Sequence, residues 1–170
     1  MIFEIKFLDY WHLSSGLSAG AKLNNTVTKD KNGLPYVPGK TLKGLIKEQS
    51  SNENFKNVCF GKEGKKIGKC YFGDAFIEDE TKNSILEKNL KNQLFDEITS
   101  TKINENGIAQ SGSLREIEVV IPISLYGQIN NIPDEYKKEM ISCLKKVKRM
   151  GLNRNRGLGR CTIQIIGEDK

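Results

Sequence analysis

The ten residues GLNRNRGLGR, at positions 151–160, are where residue types and spacing point most directly to chemistry. Glycine lets a backbone approach a phosphodiester chain closely, and arginine can contact phosphate oxygens in a bidentate way. Gly157 and Gly159 flank Leu158 just before an apolar alternation, which favours a constrained backbone over the alternative, a flexible solvated turn. We predict that this glycine-rich loop binds phosphates through Gly151, Gly157, Gly159, Arg154, Arg156 and Arg160.

A second stretch, GLPYVPGKTLKG at 33–44, contains Gly-Lys-Thr and resembles a nucleotide-binding P-loop. That motif needs four residues between its glycines, whereas Gly33 and Gly39 enclose five. Pro35 and Pro38 also remove N–H groups from a loop that would need them for phosphates. Nucleotide hydrolysis is therefore excluded. What remains is a helix N-terminus that could bind an anion, or else a capped helix with solvated lysines, with the candidate contacts Lys40, Thr41 and Lys43.

Candidates for catalysis are weakly marked. His12, beside Trp11, could act as a general acid in RNA cleavage, although a single histidine near an aromatic ring is more often structural. Asp30 and Asp74 could help to bind a metal or orient a 2′-hydroxyl, but they lack the spacing of paired carboxylates. The four cysteines include no CxxC pair, so neither a metal site nor a cofactor is predicted. A divalent metal would be expected only if the protein cleaves RNA.

The composition of the 170 residues sets broad limits on function. A net charge of +6 and a pI of about 9.1 are common in nucleic-acid binders and also in ordinary soluble proteins. No segment approaches the ~20 apolar residues of a membrane span. The N-terminus alternates like a strand and lacks the features of a signal peptide. We therefore expect a cytoplasmic protein with reduced thiols and no membrane partner.

Several elements must position these residues. Strands are predicted at 2–9, 70–78 and 160–166, and residues 95–129 read as two extended arms around a glycine-containing tip. Helices are predicted from Pro38-Gly39, at 82–94, and after Pro133. This order predicts a ferredoxin-like, RRM-type α+β fold. We expect one domain, 1–170, with insertions at about 10–39, 50–69 and 95–120.

Together these segments resemble the RAMP superfamily of CRISPR-associated proteins, above all the backbone subunits of type III effector complexes. GLPYVPGKTLKGLIKE is similar to that family's helix start, and GLNRNRGLGR to its C-terminal glycine-rich loop. CYFGDAFIED resembles the strand after the first helix. TSTKINENGIAQSGSLREIEVV resembles the long hairpin, or thumb, and WHLSSGLSAG extends the match.

The resemblance implies an RNA-binding subunit that holds a guide RNA by its sugar-phosphate backbone, with base pairing supplying specificity. It implies guide RNA, target RNA and other effector subunits as partners, and copies that stack into a filament. Lys22 joins the glycine-rich loop and the helix start as a predicted RNA contact.

One departure from the family pattern bears on activity. Cleaving backbone subunits carry an aspartate before the first helix, and alignment places Asn24, or else Asn25, at that position. An amide carries neither the negative charge nor the basicity of a carboxylate, so we expect no cleavage of target RNA. One alternative is a RAMP endoribonuclease, which either cuts target RNA with Asp30 or processes guide precursors with His12. Another is a protein-interaction module that has lost RNA binding.

Overall fold

The computed structural model describes residues 1–16, 25–62, 64 and 66–167. In this part of the chain the helices are α1 (Gly39–Glu48), α2 (Glu53–Phe55), α3 (Asp79–Glu87) and α4 (Lys137–Lys146). A π-helical turn follows α2 at Lys56–Phe60, and 3₁₀ turns occur at Lys91–Leu94 and Asp134–Tyr136. None of the helices described has the length and apolar character needed to span a membrane.

The described strands form three antiparallel sheets. They are β1 (Ile2–Phe7), β2 (Gly61–Lys62), β3 (Lys66–Ile67), β4 (Tyr71–Phe72), β5 (Phe95–Ser100), β6 (Arg115–Val120), β7 (Ser124–Asn130) and β8 (Cys161–Gly167). The main sheet has the order β4-β7-β1-β8, while β2 pairs with β3 and β5 with β6. This mixture of helices and antiparallel sheets confirms the α+β class.

The central strand β1 shows why one face of the main sheet is buried. Phe3, Ile5 and Phe7 are almost completely inaccessible, whereas the alternate residues point to the other face. Apolar residues of α1 and α4 belong to the same core cluster, among them Leu42, Ile46, Met140 and Leu144. The period-two pattern of the strand and the helical pattern of α1 and α4 therefore meet in one core.

Three predicted elements differ from the observed ones, and two of them lie between residues 70 and 94. The strand predicted at 70–78 is reduced to β4, because only single bridges follow it. Ala75 pairs with Val37, outside the main sheet, and Phe76 pairs with Tyr126 of β7. The helix predicted at 82–94 begins at Asp79 and ends at Glu87, before a 3₁₀ turn.

The segment 95–129, predicted as two arms, contains three strands. β5 and β6 form a hairpin, and β7 joins the main sheet beyond Pro122. Proline has no N–H to donate to a ladder, which suits a break at this position. Residues 101–112, at the tip of the hairpin, are all exposed.

The described parts of the irregular segment 10–39 are tied to the hairpin. Trp11 and Val120 form a β-bridge, with N–O distances of 3.0 and 2.8 Å in the two directions. Glu118 accepts a hydrogen bond from the Val27 amide at 2.9 Å and pairs with the Lys29 ammonium at 2.7 Å. Since Glu118 is almost fully buried, these contacts compensate its charge and fix the base of the hairpin.

Candidate nucleic-acid interface

Three glycines of the glycine-rich loop, Gly157 among them, have a conformation that only glycine adopts easily, and two of the three are also closely packed. Gly151 has a φ of +93° and Gly159 a φ of +70°. A Cβ atom would lie 2.2 Å from the His12 carbonyl oxygen at Gly151 and 2.0 Å from the Met150 carbonyl oxygen at Gly159. Both glycines are therefore required by close backbone contacts inside the protein as well as by their φ angles.

Hydrogen bonds fasten the base of this loop to the chain that follows β1. The Leu152 amide donates to the His12 carbonyl at 2.8 Å, and the Gly159 amide donates to the Tyr10 carbonyl at 2.8 Å. The Leu8 amide donates to the Arg160 carbonyl at 2.8 Å. The loop therefore has a defined path and presents residues 152–157 to solvent.

The three arginines of the loop have different surroundings. Arg154 and Arg156 are exposed, and the structure gives neither guanidinium an acidic partner within its described residues. The Arg160 guanidinium binds the Asp9 carboxylate through two contacts, Nε to Oδ2 at 3.0 Å and Nη2 to Oδ1 at 3.2 Å. Arg154 and Arg156 are therefore available to an external anion, whereas the charge of Arg160 is partly compensated by Asp9 and only its remaining N–H groups are open.

The structure adds cations that the sequence analysis did not select. Lys146, Lys148 and Arg149 line a cleft with Arg154, next to Glu48 near the end of α1. The Arg149 guanidinium also donates to the Arg154 carbonyl at 3.2 Å, which links the two segments. The sequence does contain a pattern that indicates these cations, because residues 140–167 include seven lysines and arginines and no acidic residue.

The start of α1 is partly occupied by an acidic group of the protein itself. The Gly39 amide donates to the Asp74 carboxylate at 2.7 Å. A Cβ atom at Gly39 would lie 2.1 Å from the Phe72 carbonyl oxygen, so this glycine permits close packing of α1 on β4. Lys40 is exposed, Thr41 is half-buried, and the Lys43 ammonium lies 5.9 Å from the centre of the Phe72 ring.

The two predicted anion sites lie at opposite ends of α1. Its start contacts β4, whereas Leu45 and Glu48 near its end share a cleft with Arg154. Ten residues of α-helix separate the ends by about 14 Å. Lys40, Thr41 and Lys43 are thus not brought together with the glycine-rich loop, and one phosphate group cannot contact both sites.

The weak catalytic candidates have structural contacts. His12 is fully buried, and its Nδ1 atom is hydrogen-bonded to the Glu118 carbonyl. The Asp30 carboxylate accepts hydrogen bonds from the Asn32 amide at 2.8 Å and the Leu34 amide at 2.9 Å, so it shapes a tight turn. Among the described residues, no group of three His, Cys, Asp or Glu side chains is placed to hold a metal ion.

Two predicted positions, Lys22 and Asn24, lie outside the described residues. Asn25, the alternative position for the family's aspartate, is described and half-buried. Its side-chain oxygen accepts a hydrogen bond from the Ser14 hydroxyl at 2.6 Å. Its backbone carbonyl accepts one from the Glu118 amide at 3.2 Å.

The chain resembles known proteins in its sequence and in its fold. A model of the RAMP superfamily matches residues 4–162. No curated protein matches the sequence. A cryo-EM structure of type III-B Cmr-beta in the apo state is similar over 96% of this chain and 95% of the other, with 14% identity and a TM-score of 0.71. A chain of Cmr-beta bound to cognate target RNA gives the same coverage, 13% identity and a TM-score of 0.75.

Proposed function

This chain belongs to the RAMP superfamily, and we propose that it is an RNA-binding subunit of a type III CRISPR effector complex. In this role it holds the guide RNA by its sugar-phosphate backbone. The solved chains that share its fold come from Cmr-beta, and one of those structures contains cognate target RNA.

The cationic surface around the glycine-rich loop is the observation that carries the proposal. It combines Arg154 and Arg156 with Lys146, Lys148 and Arg149 on a backbone whose path is fixed by hydrogen bonds. Cations of this kind neutralise phosphates and release counterions without reading the bases. Sequence-independent binding of this kind suits a protein whose specificity comes from the base pairs of a bound guide.

The architecture supports the same proposal. We infer that β1, α1, β4, β7, α4 and β8 form a ferredoxin-like core, because the chain order is β–α–β–β–α–β. The strand order β4-β7-β1-β8 agrees with this arrangement. The hairpin of β5 and β6 is proposed to be the thumb, which contacts RNA or a neighbouring subunit. All of 1–170 is proposed to act as one domain with this core, with other effector subunits as its partners and with copies that stack.

Binding of the purified protein to labelled single-stranded RNA tests the proposal. Two RNAs of equal length and unrelated sequence should bind with affinities within about threefold of each other, since phosphate contacts carry no sequence information. Both affinities should fall steeply between about 50 and 200 mM salt. The RNA should remain uncut with or without Mg²⁺.

Two outcomes would contradict this role. Absence of binding at low salt would favour a protein-interaction module. Cleavage products from either RNA would favour the endoribonuclease. The matched control is a duplex DNA of the same length, which reports how much of the binding is charge attraction alone.

A further inference from the structure

The face of the main sheet opposite α1 and α4 carries a groove lined by aromatic rings. Ile2 lies opposite Gln128 and Glu4 opposite Tyr126 in the antiparallel pairing of β1 with β7, so these four side chains share one face. The groove is lined by Ile2, Tyr71, Asp74, Phe76, Tyr126 and Gln128, together with two glycines. The proposed function assigns no role to this surface.

Apolar groups in this groove are unusually accessible. Tyr71 is 62% exposed and Phe76 is 41% exposed. Tyr36 stacks on Phe76, with ring centres 5.4 Å apart, and so holds the Phe76 ring in place. Clustered apolar groups that stay in contact with water mark interaction surfaces more often than isolated ones do.

The charged residue that lines the groove has the opposite sign to the cations around the glycine-rich loop. Asp74 is part of the lining, and no lysine or arginine is among the residues that line it. Glu4 and Glu78 lie close to Tyr126, where burial, together with these two carboxylates, raises the pKa of its phenol. In a protein of net charge +6, the lining of the groove therefore contains a carboxylate and no cation. Lys6, which is exposed on the same face of β1, lies beyond Glu4 and outside this lining.

The combination of exposed aromatic rings and carboxylates indicates whether RNA or a protein segment fits the groove better. Aromatic rings could stack on RNA bases, but the attached phosphates would meet carboxylates and no cation in the groove. A lysine or arginine side chain would form ion pairs with the carboxylates and cation–π contacts with the faces of the aromatic rings. The local charge therefore favours a basic protein segment over RNA.

We propose that this groove, which we call the aromatic groove, is a docking site for a lysine- or arginine-bearing segment of another protein subunit. This inference rests on the proposed function, which supplies a complex with other subunits. The chain then uses two separate surfaces of opposite charge. The cationic surface around the glycine-rich loop binds RNA, and the aromatic groove binds protein.

Site-specific photocrosslinking tests the proposal in the assembled complex. The photoreactive residue p-benzoylphenylalanine replaces the exposed Tyr71, and the complex is reconstituted with its other subunits and guide RNA. Irradiation should join this chain to a different protein subunit, in a product that resists ribonuclease. Mass spectrometry should place the link within a few residues of a lysine or arginine.

A charge reversal beside the aromatic groove provides the second measurement. Glu78→Lys should reduce the crosslinked product at least fivefold, because it would repel a basic segment. Glu87→Lys, a reversal at another exposed glutamate, at the end of α3, should leave the yield unchanged.

Four outcomes would overturn the docking site. They are a link to RNA, a link to a second copy of this chain, an equal loss of yield in both variants, and no link although the protein still copurifies with the complex. Failure to copurify with any effector subunit would instead contradict the proposed function, and the docking site with it.

Discussion

At the scale of single residues, the arginines of the glycine-rich loop are distinguished by their neighbours. From the sequence, the same role is predicted for Arg154, Arg156 and Arg160. In the structure, the Asp9 carboxylate is bound to Arg160. An exposed ion pair of this kind contributes about 0.2–1 kcal/mol to stability. The pair can therefore be broken, but breaking it costs a small amount of free energy. We therefore expect these arginines to contribute unequally to RNA binding.

Replacing Arg154 and Arg156 with alanine should weaken RNA binding about equally for all sequences. The slope of log K against log salt should become shallower by about 1.4, the value for two lost contacts to single-stranded RNA. The melting temperature should not change, since both side chains are exposed. Arg160→Ala is the matched control and should change the slope less. An equal or larger effect of Arg160→Ala would show that Arg160 contacts RNA phosphates despite its pair with Asp9.

The glycines of the loop have different surroundings, so alanine substitutions at them should lower stability by different amounts. Gly159→Ala should lower the free energy of unfolding by about 3 kcal/mol or more, because it adds a clash with the Met150 carbonyl to an unfavourable φ. Gly157→Ala has a similar positive φ, but open space around the new methyl group, and should cost only about 1–2 kcal/mol. Urea denaturation measures both values. Equal losses would mean that the close contact at Gly159 relaxes without cost.

Catalytic inactivity remains a prediction at the residue scale. If Asn24 stands where cleaving relatives have an aspartate, the wild-type protein should not cut RNA paired to its guide. Asn24→Asp should then permit metal-dependent cleavage in the assembled complex, and Asn25→Asp is the control for a shift of one residue. Cleavage by the wild type that is lost on Asp30→Ala would support the nuclease instead. His12 is buried, so His12→Ala would report folding together with activity.

At the scale of elements, the hairpin of β5 and β6 is fixed at its base and exposed at its tip. Glu118 and Trp11 secure the base, as described above. Within the tip, the Asn104 side chain accepts hydrogen bonds from the amides of Asn106 and Ile108, both at 3.0 Å. Ile103 and Ile108 are more than 60% exposed, which suits a surface that packs against RNA or a neighbour.

Limited proteolysis should therefore cut the tip of the hairpin first. A glutamate-specific protease should cleave the isolated protein after Glu105, the glutamate within the exposed stretch 101–112, before it cleaves at other interior sites. Bound RNA should slow this cut. Glu105→Gln is the control and should remove the early fragment. The same cleavage rate with and without RNA would show that the tip does not contact RNA.

At the scale of the whole molecule, the four cysteines are buried in the core, and all are free thiols. Burial raises the pKa of Cys161 to about 12, from an ordinary value of 9.0. It also raises the pKa of Cys59, Cys70 and Cys143. The folded protein therefore keeps these thiols protonated at pH values where the unfolded chain has begun to lose the protons.

This difference predicts loss of stability in alkali. Above about pH 9 the unfolded state binds fewer protons, so the free energy of unfolding falls as the pH rises towards 12. For Cys161 alone the slope reaches at most about 1.4 kcal/mol per pH unit. Urea denaturation of the wild type and Cys161→Ala from about pH 8 to about pH 10.5 measures this slope, which should be smaller in the variant. Parallel curves would show that Cys161 does not contribute.

The sequence by itself determined the features that depend on local patterns. The alternation in β1 and β8, the start of α1 at Gly39, and the glycine-containing tip between two extended arms all follow from short-range periodicity and turn chemistry. The glycine-rich loop was visible for the same reason, since its glycines and arginines are adjacent in the chain. The family resemblance also rested on such local motifs, and the family match at residues 4–162 agrees with it.

Only the tertiary structure decided which distant groups meet. Asp9 and Arg160 are 151 residues apart in sequence, and Gly39 and Asp74 are 35 apart. The burial of His12 and the aromatic groove likewise depend on segments brought together by the sheet. A residue type and its near neighbours set what a side chain can do. Packing of remote segments decides whether it is paired, buried or open to a ligand, because the desolvation and partner of a charge come from atoms that no local pattern specifies.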